Sequence, residues 1–252
     1  EKLRKALLAV GVHVLTWDRR NSGLSDISYD FGGKSRAEQD AEDLHALIQH
    51  LGFPKVCLSG QSAGGRMSLA FVSMFPESVE KLLLKNLTGG SKAASNLSKN
   101  YFGDPVAAVK DGGMESLLQM NFYRKVLSKG SPERQAARRK QLLKTDVKMF
   151  LTAMEKSRQF LARAIDPILG FSRQSLEKLR TYPSLLVYDR KSSDGMHTRD
   201  VMKKLSKALG ATLIDTTDPK VWVAKCADFL SSSGCEKTRE DGSCSNATEE
   251  VR

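Results

Sequence analysis

The sequence is poor in the residues that would place it in several common classes. Its 252 residues include only 4 cysteines, 4 histidines and 7 prolines, and aromatic residues make up 7%. Four cysteines are too few for a disulfide scaffold of this length, and no C-x-x-C spacing suggests zinc. Cys57, within an apolar run, reads as a small core residue. Cys226 falls in a helical stretch, and Cys235 and Cys244 fall in a polar tail. No apolar run approaches the ~20 residues of a membrane-spanning helix. No internal repeat and no metal-ligand cluster is visible, and no cofactor is implied. What remains is 40% hydrophobic and 27% charged, which is the composition of a soluble globular chain with enough length for one large core.

Forty Lys+Arg against 29 Asp+Glu give a net charge of +11. The excess is local: residues 124–180 hold 15 basic and 5 acidic side chains. Such a patch can draw an anionic partner. Here it follows helical periodicity with little aromatic interleaving, so it reads as a solvated helical face and no nucleic-acid partner is expected. N-x-S/T triplets stand at Asn86, Asn96 and Asn246.

The order of elements alternates. A helix over 1–10 is closed by Gly11, and Val12–Trp17 has strand composition. An amphipathic helix over 36–51 carries Ala41, Leu44, Leu47, Ile48 and Leu51 at three- and four-residue spacing. Strand 55–59, helix 65–76 and strand 81–87 follow, each bounded by glycine. Residues 91–180 are helix-prone and almost strand-free. Strand 183–188, helix 198–209, strand 211–214 and helix 219–231 complete the chain, and the rest is polar enough to be a disordered tail. This alternation implies a mostly parallel sheet covered by helices on both faces. The expected organisation is a core at 1–90 and 181–231, a helical cap inserted at 91–180, and a tail at 232–252.

Gly60-Gln-Ser62-Ala-Gly64 lies between a strand and a helix. In that context G-x-S-x-G makes a sharp turn that exposes a strained serine at the carboxyl edge of a sheet. The Ala63 N–H, opening the helix, is the expected oxyanion donor. A serine nucleophile needs a base. His13 falls in the first strand and reads as structural, and His45 and His50 on helix 36–51 read as solvent-facing. His197 in Asp194-Gly-Met-His197 is therefore the candidate base, with Asp194 as candidate acid and Asp189, Asp215 and Asp218 as alternatives. Arg66 either binds a substrate carboxylate or pairs with a buried acid. Gln61, Thr88, Gly89 and Trp17 are further substrate-binding candidates, although Trp17 also suits strand-end packing.

These segments resemble the α/β-hydrolase superfamily, of the AB hydrolase-1 type, over about residues 5–230. Asp18-Arg-Arg-Asn-Ser-Gly-Leu-Ser25 is similar to the superfamily loop D-x-R-G-x-G-x-S. Asp18–Asp26, Gly60–Leu69, Thr88–Gly90 and Gly112–Met114 match, in order, segments of a bacterial-type subgroup. The resemblance implies an α/β-hydrolase fold that hydrolyses an ester, lactone or related acyl or C–C bond of a small molecule, anionic or apolar. Two departures stand out. Relatives carry the catalytic histidine before the final helix, where Ala211–Pro219 has none and Thr212 takes its place; the subgroup's N-D-x-x-H segment is matched in spacing by Asp194-x-x-His197. Relatives also have an H-G segment after an earlier strand, so one strand and its loop are expected to be missing upstream of residue 12. The alternative to a serine hydrolase is therefore a catalytically impaired hydrolase-fold protein that binds a small ligand or partner. The cytoplasm is the expected compartment, with an N-terminal targeting segment left open, and the oligomeric state is not legible.

Overall fold

The computed structural model describes residues 1–192 and 194–232. Helix α1 (Lys2–Ala9) opens the chain, and Gly11 at φ +76° turns it out of the helix. Helix α2 (Arg36–His50) begins with a capping box. The Ser35 hydroxyl accepts from Glu38 N–H, and the Glu38 carboxylate accepts from Ser35 N–H. Strand β1 (Val56–Gln61), helix α3 (Ala63–Met74) and strand β2 (Val79–Lys85) follow. Then come α4 (Gly90–Leu97), α5 (Asp104–Gly112), α6 (Asn121–Leu127), α7 (Pro132–Lys144) and α8 (Val147–Ala162). A minimal hairpin of β3 (Pro167–Ile168) and β4 (Phe171–Ser172) leads to α9 (Arg173–Glu177). Strand β5 (Ser184–Asp189), helix α10 (Arg199–Leu209), strand β6 (Thr212–Thr216) and helix α11 (Pro219–Ser231) close the fold.

The main sheet is wholly parallel, in the order β1-β2-β5-β6. Side chains alternate across it, as strand geometry requires. Leu82, Leu84, Leu186 and Tyr188 face one cluster, shared with Leu44 and Ile48 of α2, Leu69 and Phe71 of α3, and Met202 and Leu205 of α10. Leu83, Leu185, Val187 and Ile214 face the other, beside Leu3 of α1 and Trp222 and Phe229 of α11. A parallel sheet covered on both faces reads as near-continuous apolar runs, which is why Lys81-Leu-Leu-Leu was visible as a strand. A third cluster joins Ile27, Tyr29 and Phe31 to Leu117, Leu142 and Phe150 of the helical region. Phe160, Ile168, Leu169 and Leu176 pack instead into the first sheet cluster.

Three expectations need correction. Val12–Trp17 runs without regular structure and joins no sheet, because β-branched composition favours extended backbone but a strand also needs a hydrogen-bonded neighbour. His13 is consequently exposed, not part of a strand. His45 does not face solvent: its ring stacks on Phe75 at 3.8 Å between centroids, 3° from parallel. Of the N-x-S/T triplets, the one at Asn86 is closed to a glycan in the folded chain, because its side chain is 0% exposed and bonded through its amide. The tail from 233 onward, with Cys235, Cys244 and Asn246, lies outside the described residues. Among those described, no helix is long and apolar enough to cross a membrane.

Candidate active site

Ser62 follows β1 and precedes α3 at φ 52°, ψ −115°, a positive-φ conformation costly for any residue with a Cβ. The turn is held on both sides: Ser62 N–H donates to Lys85 O at 3.1 Å, and Arg66 N–H donates to Ser62 O at 3.2 Å. Gly60 makes the turn possible, since a Cβ there would lie 2.6 Å from the Gly64 carbonyl and the Gly65 nitrogen. Gly65 lets α3 lie against Leu87, whose Cδ1 would be 2.4 Å from a Cβ. The Ala63 N–H belongs to the first turn of α3, whose donors have no partner within the helix.

The structure brings His197 and Asp194 to this serine. Ser62 Oγ lies 2.8 Å from His197 Nε2, and His197 Nδ1 lies 2.9 Å from Asp194 Oδ1. The same carboxylate oxygen accepts the backbone N–H groups of Met196 at 2.7 Å and His197 at 3.0 Å. The carboxylate and the imidazole thus sit on one turn, with the histidine 15% exposed and the aspartate 53%. The Met196 N–H, with the ring and backbone N–H of His197, holds the Asp194 carboxyl below the ordinary carboxylate range against the opposing effect of burial. With its proton on Nδ1, His197 donates to Asp194 and leaves Nε2 free to accept from the Ser62 hydroxyl. A hydroxyl, an imidazole and a carboxylate are then within bonding reach, the arrangement that a nucleophilic serine requires.

The other expected acids are engaged elsewhere. Asp189 pairs with Lys85 at 2.9 Å, Asp215 with Arg190 at 2.6 Å and with Arg199, and Asp218 caps α11 by accepting from Lys220 N–H at 2.8 Å. Thr212 begins β6, opposite Leu185 at the start of β5, and so lies at the far end of the strands from Ser62. The carboxyl end of β6 is Thr216, opposite Asp189.

Asn86 is the residue that sequence reasoning missed. It follows β2 at φ 44°, fully buried. Its amide NH₂ donates to Asp189 O at 3.0 Å and Ser192 Oγ at 2.9 Å, and its carbonyl accepts from Asp189 N–H at 2.9 Å. It fastens the loop that carries Asp194 and His197 to the strand beside the elbow. A polar residue breaking the run Leu82-Leu-Leu-Lys-Asn86-Leu87 was the available signal.

The remaining candidates sit around this centre. Arg66 donates to the buried Thr88 hydroxyl, and no carboxylate among the described residues pairs with it, against the expected buried acid. Gly89 packs on the Pro167 carbonyl, which a Cβ would meet at 2.0 Å. Gln61 is exposed at the end of β1, and Trp17 is half-buried against the first sheet cluster. The loop over 18–26 is a brace: Arg19 pairs with Asp40 at 2.8 Å, Arg20 with Asp43 at 2.6 Å, and Arg134 of α7 donates to Leu24 O at 2.9 Å. A surface hollow of about 620 Å³ along α8, lined by Val147, Leu151 and Lys156 among others, includes none of these site residues.

Comparison with known proteins bears on the family and the fold. A family model described as alpha/beta hydrolase fold matches residues 1–197. A putative esterase/lipase of Haemophilus influenzae is 37% identical over 75 residues, which are 30% of this chain and 25% of that protein. A 2-hydroxy-6-oxononadienedioate/2-hydroxy-6-oxononatrienedioate hydrolase of Klebsiella pneumoniae is 36% identical over 89 residues, 35% of this chain and 30% of that one. The chain thus spans between a quarter and a third of the length of these curated relatives. The solved esterase of Exiguobacterium antarcticum superposes with a TM-score of 0.56 over 92% of this chain and 86% of its own, at 16% identity, a likeness of fold alone.

Proposed function

The chain belongs to the alpha/beta-hydrolase-fold family, and from that premise we propose that it is a serine hydrolase cleaving an ester, lactone or related acyl or C–C bond of a small molecule. One observation carries the reading: Ser62 Oγ, His197 Nε2, His197 Nδ1 and Asp194 Oδ1 form a continuous chain with contacts of 2.8 and 2.9 Å.

In this reading His197 takes the Ser62 proton as the oxygen attacks the substrate carbonyl. The Ala63 N–H donates to the oxyanion that forms. His197 then returns its proton to the leaving group, which leaves an acyl-enzyme. Water, deprotonated by the same imidazole, releases the acid and restores the serine. Asp194 holds the ring in the required tautomer and faces the imidazolium. Residues 91–180 act as the cap over this edge, supported by the apolar cluster in which Leu117, Leu142 and Phe150 meet Ile27, Tyr29 and Phe31. The names of the esterase/lipase and hydrolase relatives agree with acyl-bond hydrolysis.

The test is labelling with a fluorophosphonate, which reacts with an activated serine. The wild-type chain is expected to label, Ser62→Ala to lose labelling, and His197→Ala to slow it by at least about a hundredfold. A wild-type chain that never labels between pH 6 and 9 would sink the reading and leave a hydrolase-fold binding protein.

A further inference from the structure

Arg66 belongs to the elbow, yet the Ser62–His197–Asp194 relay does not use it. Its N–H closes the first turn of α3 on Ser62 O. Four residues of helix rise about 6 Å, and helical side chains lean back toward the N-terminus, so this guanidinium leans toward the nucleophile. It has five N–H donors, and its hydrogen-bond partner among the described residues is the Thr88 hydroxyl. Arg19, Arg20, Arg163 and Arg199 each meet a carboxylate, whereas Arg66, like the buried Arg138, meets none among the described residues. Burial first, and then the like charge of Arg19, lower the Arg66 guanidinium to about 10, so it remains a cation at neutral pH. A half-buried cation with no counter-ion among the described residues is costly. Tethering the Thr88 turn would need only a neutral donor.

A second cation stands at the same edge. The Lys92 ammonium lies 2.7 Å from where a Gly195 Cβ would be, so it rests on the turn that carries Asp194 and His197. Lys92 is exposed and has no ion pair among the described residues. Positive charge therefore stands beside the elbow on α3 and on the relay turn from α4, with no ion pair to either cation among the described residues.

We propose that the substrate carries a carboxylate, received beside Ser62 by Arg66 with Thr88 orienting it, while Lys92 attracts the anion to the mouth of the site. The proposal rests on the serine-hydrolase reading above. A planar guanidinium with donors to spare suits a carboxylate, which it can grip through two parallel bonds.

The experiment compares two six-carbon 4-nitrophenyl esters, the hexanoate and the mono-ester of adipic acid. The wild-type chain is expected to favour the adipate ester in kcat/KM, less so as salt rises. Arg66→Gln should lower the adipate-to-hexanoate ratio about tenfold to a hundredfold, and Arg66→Lys should restore part of it. A ratio that Arg66→Gln leaves in place overturns the proposal. If neither ester is turned over, calorimetry of adipate with Ser62→Ala protein decides. Binding that disappears on adding Arg66→Gln upholds the subsite, and no binding overturns it. Absent fluorophosphonate labelling would count against Ser62 as nucleophile alone, so the two failures are distinguishable.

Discussion

Asp194 invites a sharper test than a loss-of-function variant usually allows. One of its oxygens serves three donors: Met196 N–H at 2.7 Å, His197 N–H at 3.0 Å and His197 Nδ1 at 2.9 Å. Asp194→Asn keeps an oxygen there and can turn its NH₂ toward water, because this side chain is 53% exposed. The imidazole tautomer should survive, and the loss is the negative charge facing the imidazolium. Two unit charges at that separation attract by about 1.4 kcal/mol at the dielectric of water and about 6 kcal/mol at an effective value near 20. An exposed carboxylate lies close to the first limit. Asp194→Asn should therefore lower kcat by about tenfold to a hundredfold, far less than the ~10⁴ that amide replacement can cost when a buried acid forces the wrong tautomer. Asp194→Ala also frees two backbone N–H groups that shape the turn, and should cost at least tenfold more. The assay is kcat on a 4-nitrophenyl ester at pH 8, with thermal melts to verify folding. An Asp194→Asn enzyme as inactive as His197→Ala, or an Asp194→Ala enzyme as active as wild type, would refute the reasoning.

Other consequences follow from geometry elsewhere. Gly60→Ala places a Cβ 2.6 Å from backbone, whereas Gly64→Ala meets nothing within 4 Å; overpacking of the first kind costs about 1–3 kcal/mol, so Gly60→Ala should lose far more fluorophosphonate labelling and soluble yield. Asp215, held below the ordinary carboxylate range by Arg190 and then Arg199, ties the end of β6 to the chain around β5 and α10. Its depressed folded pKa makes its contribution complete above the unfolded value of about 3.9, fading as pH falls through the folded one. Asp215→Asn should therefore cost about 1 kcal/mol at pH 7, with a difference in Tm that shrinks toward pH 2. Ser35→Ala removes the hydroxyl half of the α2 capping box and should cost about 1 kcal/mol by urea unfolding.

Periodicity and glycine placement carried most of the fold. Helix 36–51 is observed as Arg36–His50, and strand 55–59 as Val56–Gln61. Helix 65–76 begins two residues earlier, at Ala63, because the strained Ser62 itself precedes the first helical residue. Val12–Trp17 was misread because composition reports backbone preference, while a strand is a relation between two segments. The same limit hid Asn86, whose value lies in three hydrogen bonds to residues more than 100 positions away. Thr212 drew attention by aligning with a familiar position. A parallel sheet separates its two edges, however, and Thr212 stands at the edge opposite the one at which β1 leads into Ser62.

The local origin of the relay has a dynamic consequence. Asp194 and His197 are three residues apart, so their mutual geometry is fixed within one turn and costs little long-range ordering. The remaining contact, from His197 to Ser62, joins this turn to a rigid elbow 135 positions away in sequence. Asn86 and the Lys85–Asp189 pair decide whether that distance is kept, because both grip the chain just before the turn. Loosening them should leave the serine strained and the aspartate–histidine pair intact, yet separate the two. Asn86→Ala, which strands buried backbone donors and acceptors around Asp189, should therefore show it most clearly. Fluorophosphonate labelling of that variant should fall in moderate urea well before the fluorescence of Trp222 reports global unfolding, whereas coincident loss of both signals would show that the turn and the sheet unfold as one unit.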